Sequence, residues 1–278
     1  MKENYLIINK NSIRNKSIIS ELFQNKTLIY FFFKRDFITS YKQTIFGPVW
    51  IFINPIITSF VFTIVFGGIA KISTEGVPSF LFYFSALNIW LFFQNNTIQI
   101  SNFFFTSSTY FRKIYFPRLV VPFSYILNNS IKFIIHFLIF LLFNFLIFDF
   151  SLTFDFRSAI IIFLTYIYTL FFSLGIGLFL NSFTFKFRDI NYFISYFFTV
   201  LMFLTPVAYP ISAASEKIKF FLMINPMTTI IELYRFSLFG TGTFDFISII
   251  YIIVVLILVL TLGIFFFKRS EKNFIDFI

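Results

Sequence analysis

The sequence predicts an all-α integral membrane protein with about six transmembrane helices, and three observations predict it. Uncharged apolar stretches recur along the chain at about the twenty-residue length that crosses a hydrocarbon core of roughly 30 Å. Charged residues are 12% of the composition, against roughly 25% in soluble domains, too few to clothe a water-facing globule of this size. Lys and Arg gather in alternate connections rather than evenly, the pattern of positive-inside topology.

Residues 1–48 form the expected cytoplasmic N-terminal segment. Its start is polar and basic, and the first long apolar run comes too late and is too long for a signal peptide, so the first span is expected to be retained. Residues 28–45 read as an amphipathic interfacial helix, because Tyr30, Phe33, Phe37 and Tyr41 recur at i, i+3, i+7 and i+11 while Arg35, Thr39 and Lys42 point elsewhere. A simple cytoplasmic tail helix is the alternative. Gly47 and Pro48 break it before the membrane begins.

The six-span domain covers residues 49–267, with spans expected at 49–70, 80–100, 121–148, 158–182, 189–207 and 246–267. Lys132 and His136 interrupt the third, and Asp189 opens the fifth. His136, the sole histidine, reads as a helix-packing polar residue; a metal or proton role would need partners that do not stand near it in sequence. Residues 268–278 complete the chain as a cytoplasmic tail.

The charges set the expected orientation. The segment before the first span is rich in Lys and Arg. So are the connection with Arg112, Lys113 and Arg118, the one with Lys186 and Arg188, and the tail with Lys268, Arg269 and Lys272. The intervening connections balance acids against bases, as in Lys71 with Glu75. Six spans with both termini cytoplasmic satisfy this alternation; an odd number does not. The formal charge of +10 therefore lies where anionic lipid meets it, which argues against nucleic acid as a partner.

Two connections carry more than charge. In the loop between the second and third spans, Arg112, Lys113, Tyr115, Phe116, Pro117 and Arg118 interleave basic and aromatic residues with no acid. Topogenic charge alone explains the bases, whereas the aromatic pair suits docking on a cytoplasmic partner. On the outer side, residues 205–242 are apolar but broken by Pro206, Pro210, Pro226, Gly240 and Gly242. The pieces at 218–224 and 227–239 are too short to span and are expected to be re-entrant or interfacial half-helices, with irregular backbone covered by protein or by a water-filled cavity. Glu232 and Arg235, three apart on the second piece, can pair, either as a structural clamp or as a substrate site.

Several chemistries are absent from the sequence. It has no Cys, which excludes disulfides and thiolate chemistry. It contains no GxxxxGK[ST] phosphate loop, no HExxH and no GxSxG motif, so neither a catalytic site, a bound cofactor nor a metal site is expected in this chain. The spans lack the acidic and basic relays of proton-coupled carriers, so energy for uphill transport must come from another polypeptide. The 52 Phe residues are spread through all the apolar segments and single out none of them.

Three stretches carry a resemblance. They are Lys34-Arg35-Asp36 with the run YKQTIFGPVW from Tyr41 and Asn54-Pro55; the run RKIYFPR from Arg112; and Asn225-Pro226-Met227 with Glu232 and the run RFSLFG from Arg235. In this order the chain resembles the membrane-spanning subunits of type 2 ABC exporters, within them the O-antigen, capsule and teichoic-acid polysaccharide permeases. The resemblance implies a homodimer in a bacterial cytoplasmic (inner) membrane, with two separate ABC ATPase subunits that bind ATP and Mg and drive export of a lipid-linked glycan. It implies that residues 112–118 couple to the ATPase, with Tyr115 and Phe116 in a groove on it. The helix carrying Arg35, Asp36, Tyr41 and Lys42 and ending at Gly47-Pro48 would flank the pathway and help admit a lipid-linked substrate. Pro206, Tyr209, Pro210, Asn225, Pro226, Glu232 and Arg235 would belong to an outer gate. A type 2 ABC permease for a drug, peptide or simpler lipid remains an alternative, as does a self-contained channel or secondary carrier.

Overall fold

Every regular element in the computed structural model is helical among the residues it describes, 22–42, 45–113, 116–153, 155–184, 189–242 and 245–277. Helix α1 (Lys26–Tyr41) ends where Lys42 turns extended, short of the expected residue 45. Gly47 then takes φ +51°, a left-handed conformation that favours glycine, and Pro48 sits at the first turn of α2 (Gly47–Ile69), where a missing N–H costs nothing. The rest of the chain forms α3 (Ser79–Ser101), α4 (Phe103–Thr106), α5 (Ser108–Lys113), α6 (Val120–Phe148), α7 (Phe156–Thr184), α8 (Asp189–Phe203), α9 (Glu216–Ile224), α10 (Pro226–Phe239) and α11 (Phe246–Phe277). Residues 1–21, part of the expected N-terminal segment, lie outside the described residues.

Four of these helices, α2, α6, α7 and α11, are long and apolar enough to cross a membrane. The other two expected spans take different forms. Helix α3 has 23 residues, about 34 Å at 1.5 Å per residue, but Gln94, Asn95, Asn96, Thr97 and Gln99 make its second half polar. Helix α8 has 15 residues, about 22 Å, and gives way to turns after Phe203. The interfacial helix also differs from its expected form. Phe32 is its buried residue while Tyr30 and Phe31 are exposed, so aromatic side chains surround much of α1 instead of forming one stripe.

The exterior is apolar as well as the core. Large apolar side chains face outward on α6 (Ile134, Leu138, Leu142, Phe145) and α11 (Ile250, Ile253, Val254, Ile257, Leu258). Polar residues such as Asn96, Asn129, Thr169 and Asn181 are buried. Helix α3 is the hub, with every residue from Phe80 to Trp90 buried among α2, α6, α7, α8 and α10. Its polar half is knitted to its neighbours. Asn129 Nδ2 on α6 donates to Asn96 Oδ1 at 2.8 Å and to Gln99 Oε1 at 3.0 Å. Asn181 Nδ2 and Thr184 Oγ1 on α7 donate to the Ser101 carbonyl at 2.9 and 2.5 Å. Such interhelical bonds average about 0.6 kcal/mol in a membrane.

Two glycines set a close helix crossing. A Cβ on Gly263 of α11 would lie 2.3 Å from the Gly175 carbonyl oxygen of α7, so the backbones touch because neither residue has a side chain. Helix α7 starts with Asp155 Oδ1 accepting from Ser158 N at 2.8 Å, an N-cap that holds the Asp155 carboxyl below its ordinary range. Helix α11 continues unbroken from its apolar stretch to Phe277, so residues 268–277 extend the last span as helix.

Candidate functional site

At the end of the bundle that carries α1, one aromatic cluster joins three parts of the chain. Phe116 is 7% exposed, its ring 5.2 Å from Phe32 on α1 and 5.2 Å from Phe111 on α5. Phe103 and Phe104 extend the cluster to Phe267 on α11, with centroids 6.0 and 5.7 Å apart. Phe116 is thus turned into the chain's own core, not outward as a docking knob. Pro117, next in the chain, accepts the Val120 N–H that starts α6. Arg118 lies over the Phe104 and Phe111 rings. It donates from Nη1 to the Glu271 carbonyl at 2.6 Å and approaches the Glu271 carboxylate at 3.8 Å, tying the loop to α11. Arg112 and Lys113 close α5, and Tyr115 lies outside the described residues.

Arg35 reaches the same cluster. Its guanidinium lies 4.6 Å from the Phe32 ring centre and 4.5 Å from that of Tyr110, and it pairs with Asp36 at 2.5 Å. Burial holds the Asp36 carboxyl above its ordinary range against the opposing pull of Arg35. Tyr41, its hydroxyl also shifted up by burial, ends α1 near the start of α2; Lys42 beside it is exposed.

At the opposite end, Arg235 is a buried clamp. It is 1% exposed and donates from Nη1 to the Pro206 carbonyl at 2.6 Å and the Tyr209 carbonyl at 3.4 Å, and from Nη2 to the Val207 carbonyl at 2.9 Å. Its guanidinium sits 3.6 Å from the centre of the Phe82 ring, and Glu232, three residues back, stands 3.7 Å away. The turn after α8 has irregular backbone whose carbonyls lack helical donors, and the planar fork of arginine suits several of them at once. Asn225 caps α10 by accepting the Met227 N–H at 3.1 Å, with Pro226 in the first turn, and donates to Thr205 Oγ1 at 2.9 Å. Pro206, Tyr209, Pro210, Asn225, Pro226, Glu232 and Arg235 therefore gather at one end of the molecule.

A fourth feature escaped the sequence reading. Lys132 and His136, four residues apart on α6, open onto a polar groove of about 440 Å³ between α2, α3 and α6. Tyr41, Trp50, Asn54, Thr58, Asn95 and Gln99 supply its remaining polar groups. His136 Nε2 donates to the Ile51 carbonyl on α2 at 3.1 Å. The i, i+4 spacing of two basic residues within an apolar span was the available signal. Among the described residues no group of three His, Cys, Asp or Glu side chains is placed to hold a metal.

The profile of the ABC-2 type transporter family matches residues 27–239. An O-antigen export system permease protein RfbA of Klebsiella pneumoniae is 24% identical over 257 residues, 91% of this chain and 95% of that protein. A second protein of that name from Klebsiella pneumoniae is 25% identical over 83% of this chain and 88% of its own length. One from Myxococcus xanthus is 24% identical over 78% and 82%.

Proposed function

Because the chain belongs to the ABC-2 type transporter family, we propose that it is the permease subunit of an exporter that moves a lipid-linked polysaccharide across the bacterial cytoplasmic membrane. Family membership makes it a transport subunit whose partner is an ABC ATPase. In the proposed assembly two copies form the conduit and two ATPase subunits, which bind ATP and Mg, dock beneath residues 112–118. The cargo reading is supported by three relatives, all O-antigen export permeases by name.

The observation that carries the coupling role is the aromatic cluster around Phe116. It joins the loop of residues 112–118 to α1 and, through Arg118 and Glu271, to α11, so a push on the loop reaches both ends of the chain. Phe116 acts here as the anchor that transmits the push, while Arg112, Lys113 and Tyr115 meet the ATPase.

The proposed topology keeps six spans over residues 49–267, with both termini cytoplasmic. Helix α3 crosses inside a shell of other helices, and α8 crosses with the help of the turns that follow it. Helices α9 and α10, broken at Asn225-Pro226, are re-entrant and form the outer gate around the Arg235 clamp. An aromatic cleft of about 730 Å³ lined by Phe93, Phe172, Phe179, Phe193 and Phe197 supports a polymer path, since ring faces offer broad apolar contact to sugars.

Deleting the gene in its source bacterium tests the cargo. Loss of surface polysaccharide, with lipid-linked glycan trapped inside and export restored by the intact chain, is expected. Unchanged surface polysaccharide with sensitivity to a drug or peptide would assign a different cargo.

A further inference from the structure

The groove between α2, α3 and α6 is built unlike the rest of the bundle. Among the described residues Lys132 has neither an ion-pair partner nor a hydrogen bond, and no carboxylate lines the groove. The Lys132 backbone stands near the middle of α6, about 18 Å from the helix start at 1.5 Å per residue. An uncompensated cation at membrane depth marks a functional position by default.

Donors surround it. Asn54, Asn95 and Trp50, each with an N–H to give, line the same space, as does Thr58, whose hydroxyl already donates to the Asn54 carbonyl at 2.9 Å. Gln99 Oε1 already accepts from Asn129, which leaves its NH2 as the free half of the amide. His136 is held by the Ile51 carbonyl and serves as a wall. Asn54 and Asn95 are exposed in the single chain, so the groove is open along one side. Tyr41 places its mouth at the end of α1, and Lys132 and His136 carry it toward the middle of the bundle.

We infer that this groove holds a phosphate or diphosphate group, with Lys132 as its cation and Asn95 and Gln99 as amide donors, while an attached apolar chain stays in the lipid beside it. Phosphate offers three acceptor oxygens to a surplus of donors, and an ammonium is an established point-charge partner for it. A neutral sugar leaves the ammonium unpaired. The inference deepens the reading above by naming the chemistry that links glycan to lipid, and rests on that reading only for the source of the phosphate.

The test uses the full permease with its ATPase in nanodiscs of zwitterionic lipid. Trp50 lines the groove and Trp90 is fully buried, so in a Trp90→Phe background the chain's fluorescence reports on the groove. Titration with a short-chain polyprenyl phosphate should quench or shift the signal, and the matching polyprenol should do so far more weakly. Lys132→Gln should weaken phosphate binding by at least about tenfold, the loss of one charge-assisted hydrogen bond, and leave polyprenol binding unchanged. Lys132→Arg should restore most of it. Asn95→Ala, at an exposed position that folding does not need, should give a smaller loss. Competition by inorganic diphosphate at the same concentration as the lipid would keep the phosphate site and assign its ligand to solution.

Equal binding of phosphate and alcohol, or of Lys132 and Lys132→Gln proteins, overturns the inference. So does a spontaneous disulfide between two Asn95→Cys chains, which would show a second copy closing the groove. Phosphate binding that persists where glycan export fails would sink the cargo reading and leave the site standing.

Discussion

His136 on α6 donates its Nε2–H to the carbonyl of Ile51 on α2 at 3.1 Å, and Pro55 is the reason that carbonyl is free. In an uninterrupted helix the N–H of residue 55 closes the bond to residue 51, but proline has none. A carbonyl can only accept, so Nε2 carries the proton in this arrangement. The histidine that sequence alone leaves as a generic packing residue replaces a specific missing donor, and it pins the start of α2 to the wall of the groove.

Replacing His136 with Phe should lower stability by roughly 1–2 kcal/mol, the cost of an orphaned carbonyl and a lost interhelical bond. With Pro55→Ala the helix regains its own donor, and the same replacement should cost less than about 0.6 kcal/mol. A double-mutant cycle on unfolding in bicelles measures the coupling; purely additive effects would refute the pairing.

Arg235 bonds the carbonyls of Pro206, Val207 and Tyr209 with one guanidinium. Arg235→Met removes the buried guanidinium beside Glu232 and should cost about 3–5 kcal/mol. Adding Glu232→Gln should recover part of that loss, and Arg235→Lys should fail to restore the geometry. Thermal unfolding of the purified variants distinguishes these outcomes.

Gly263→Val should separate α7 from α11, because even a Cβ would stand 2.3 Å from the Gly175 oxygen; overpacking of this kind costs about 1–3 kcal/mol or more. Gly68→Ala, whose Cβ would meet only the Thr63 oxygen at 3.8 Å, is the control and should leave the melting temperature unchanged. Equal melting shifts in both variants would refute the close crossing.

The proposed outer position of residues 205–242 is open to labelling. The chain has no native Cys, and Ser212 and Ala213 are exposed, so Ser212→Cys should react with an impermeant maleimide from outside intact cells. Labelling from the cytoplasmic side alone would invert the proposed topology.

Phe116→Ala should reduce ATPase association and export together while insertion into the membrane is retained, because the loop loses its anchor on Phe32. Phe32→Ala should reproduce the defect, and the pair should be less than additive. Tyr115→Ala is expected to weaken ATPase association with no change in stability. Pull-down of the ATPase, run beside thermal unfolding, separates the two roles.

The order of helices was legible where physics acts locally. Apolar length marked α2, α7 and α11, and α6 despite Lys132 and His136, while Pro226 marked the break between α9 and α10; Asn225 as the cap of α10 was not read. Helix α3 was harder, because its Asn and Gln residues are tolerable only once other helices surround them, a condition that no local pattern records. The i, i+3 spacing revealed Glu232 and Arg235 as partners, yet the carbonyls that Arg235 grips come from a turn 26 to 29 residues away. Lys132 and His136 stood out only as interruptions, since the groove they line is assembled from three helices and the end of a fourth. The inward turn of Phe116 depended on Phe32, far back in the chain, and could not be read from the loop itself.

The central claim is that this chain conducts and a separate ATPase drives. The most direct measurement is movement of a lipid-linked glycan in proteoliposomes holding the chain with its ATPase, compared with liposomes holding the chain alone. The account predicts movement only with both proteins and hydrolysable ATP. Movement through the chain alone, at the same rate and without nucleotide, would contradict it.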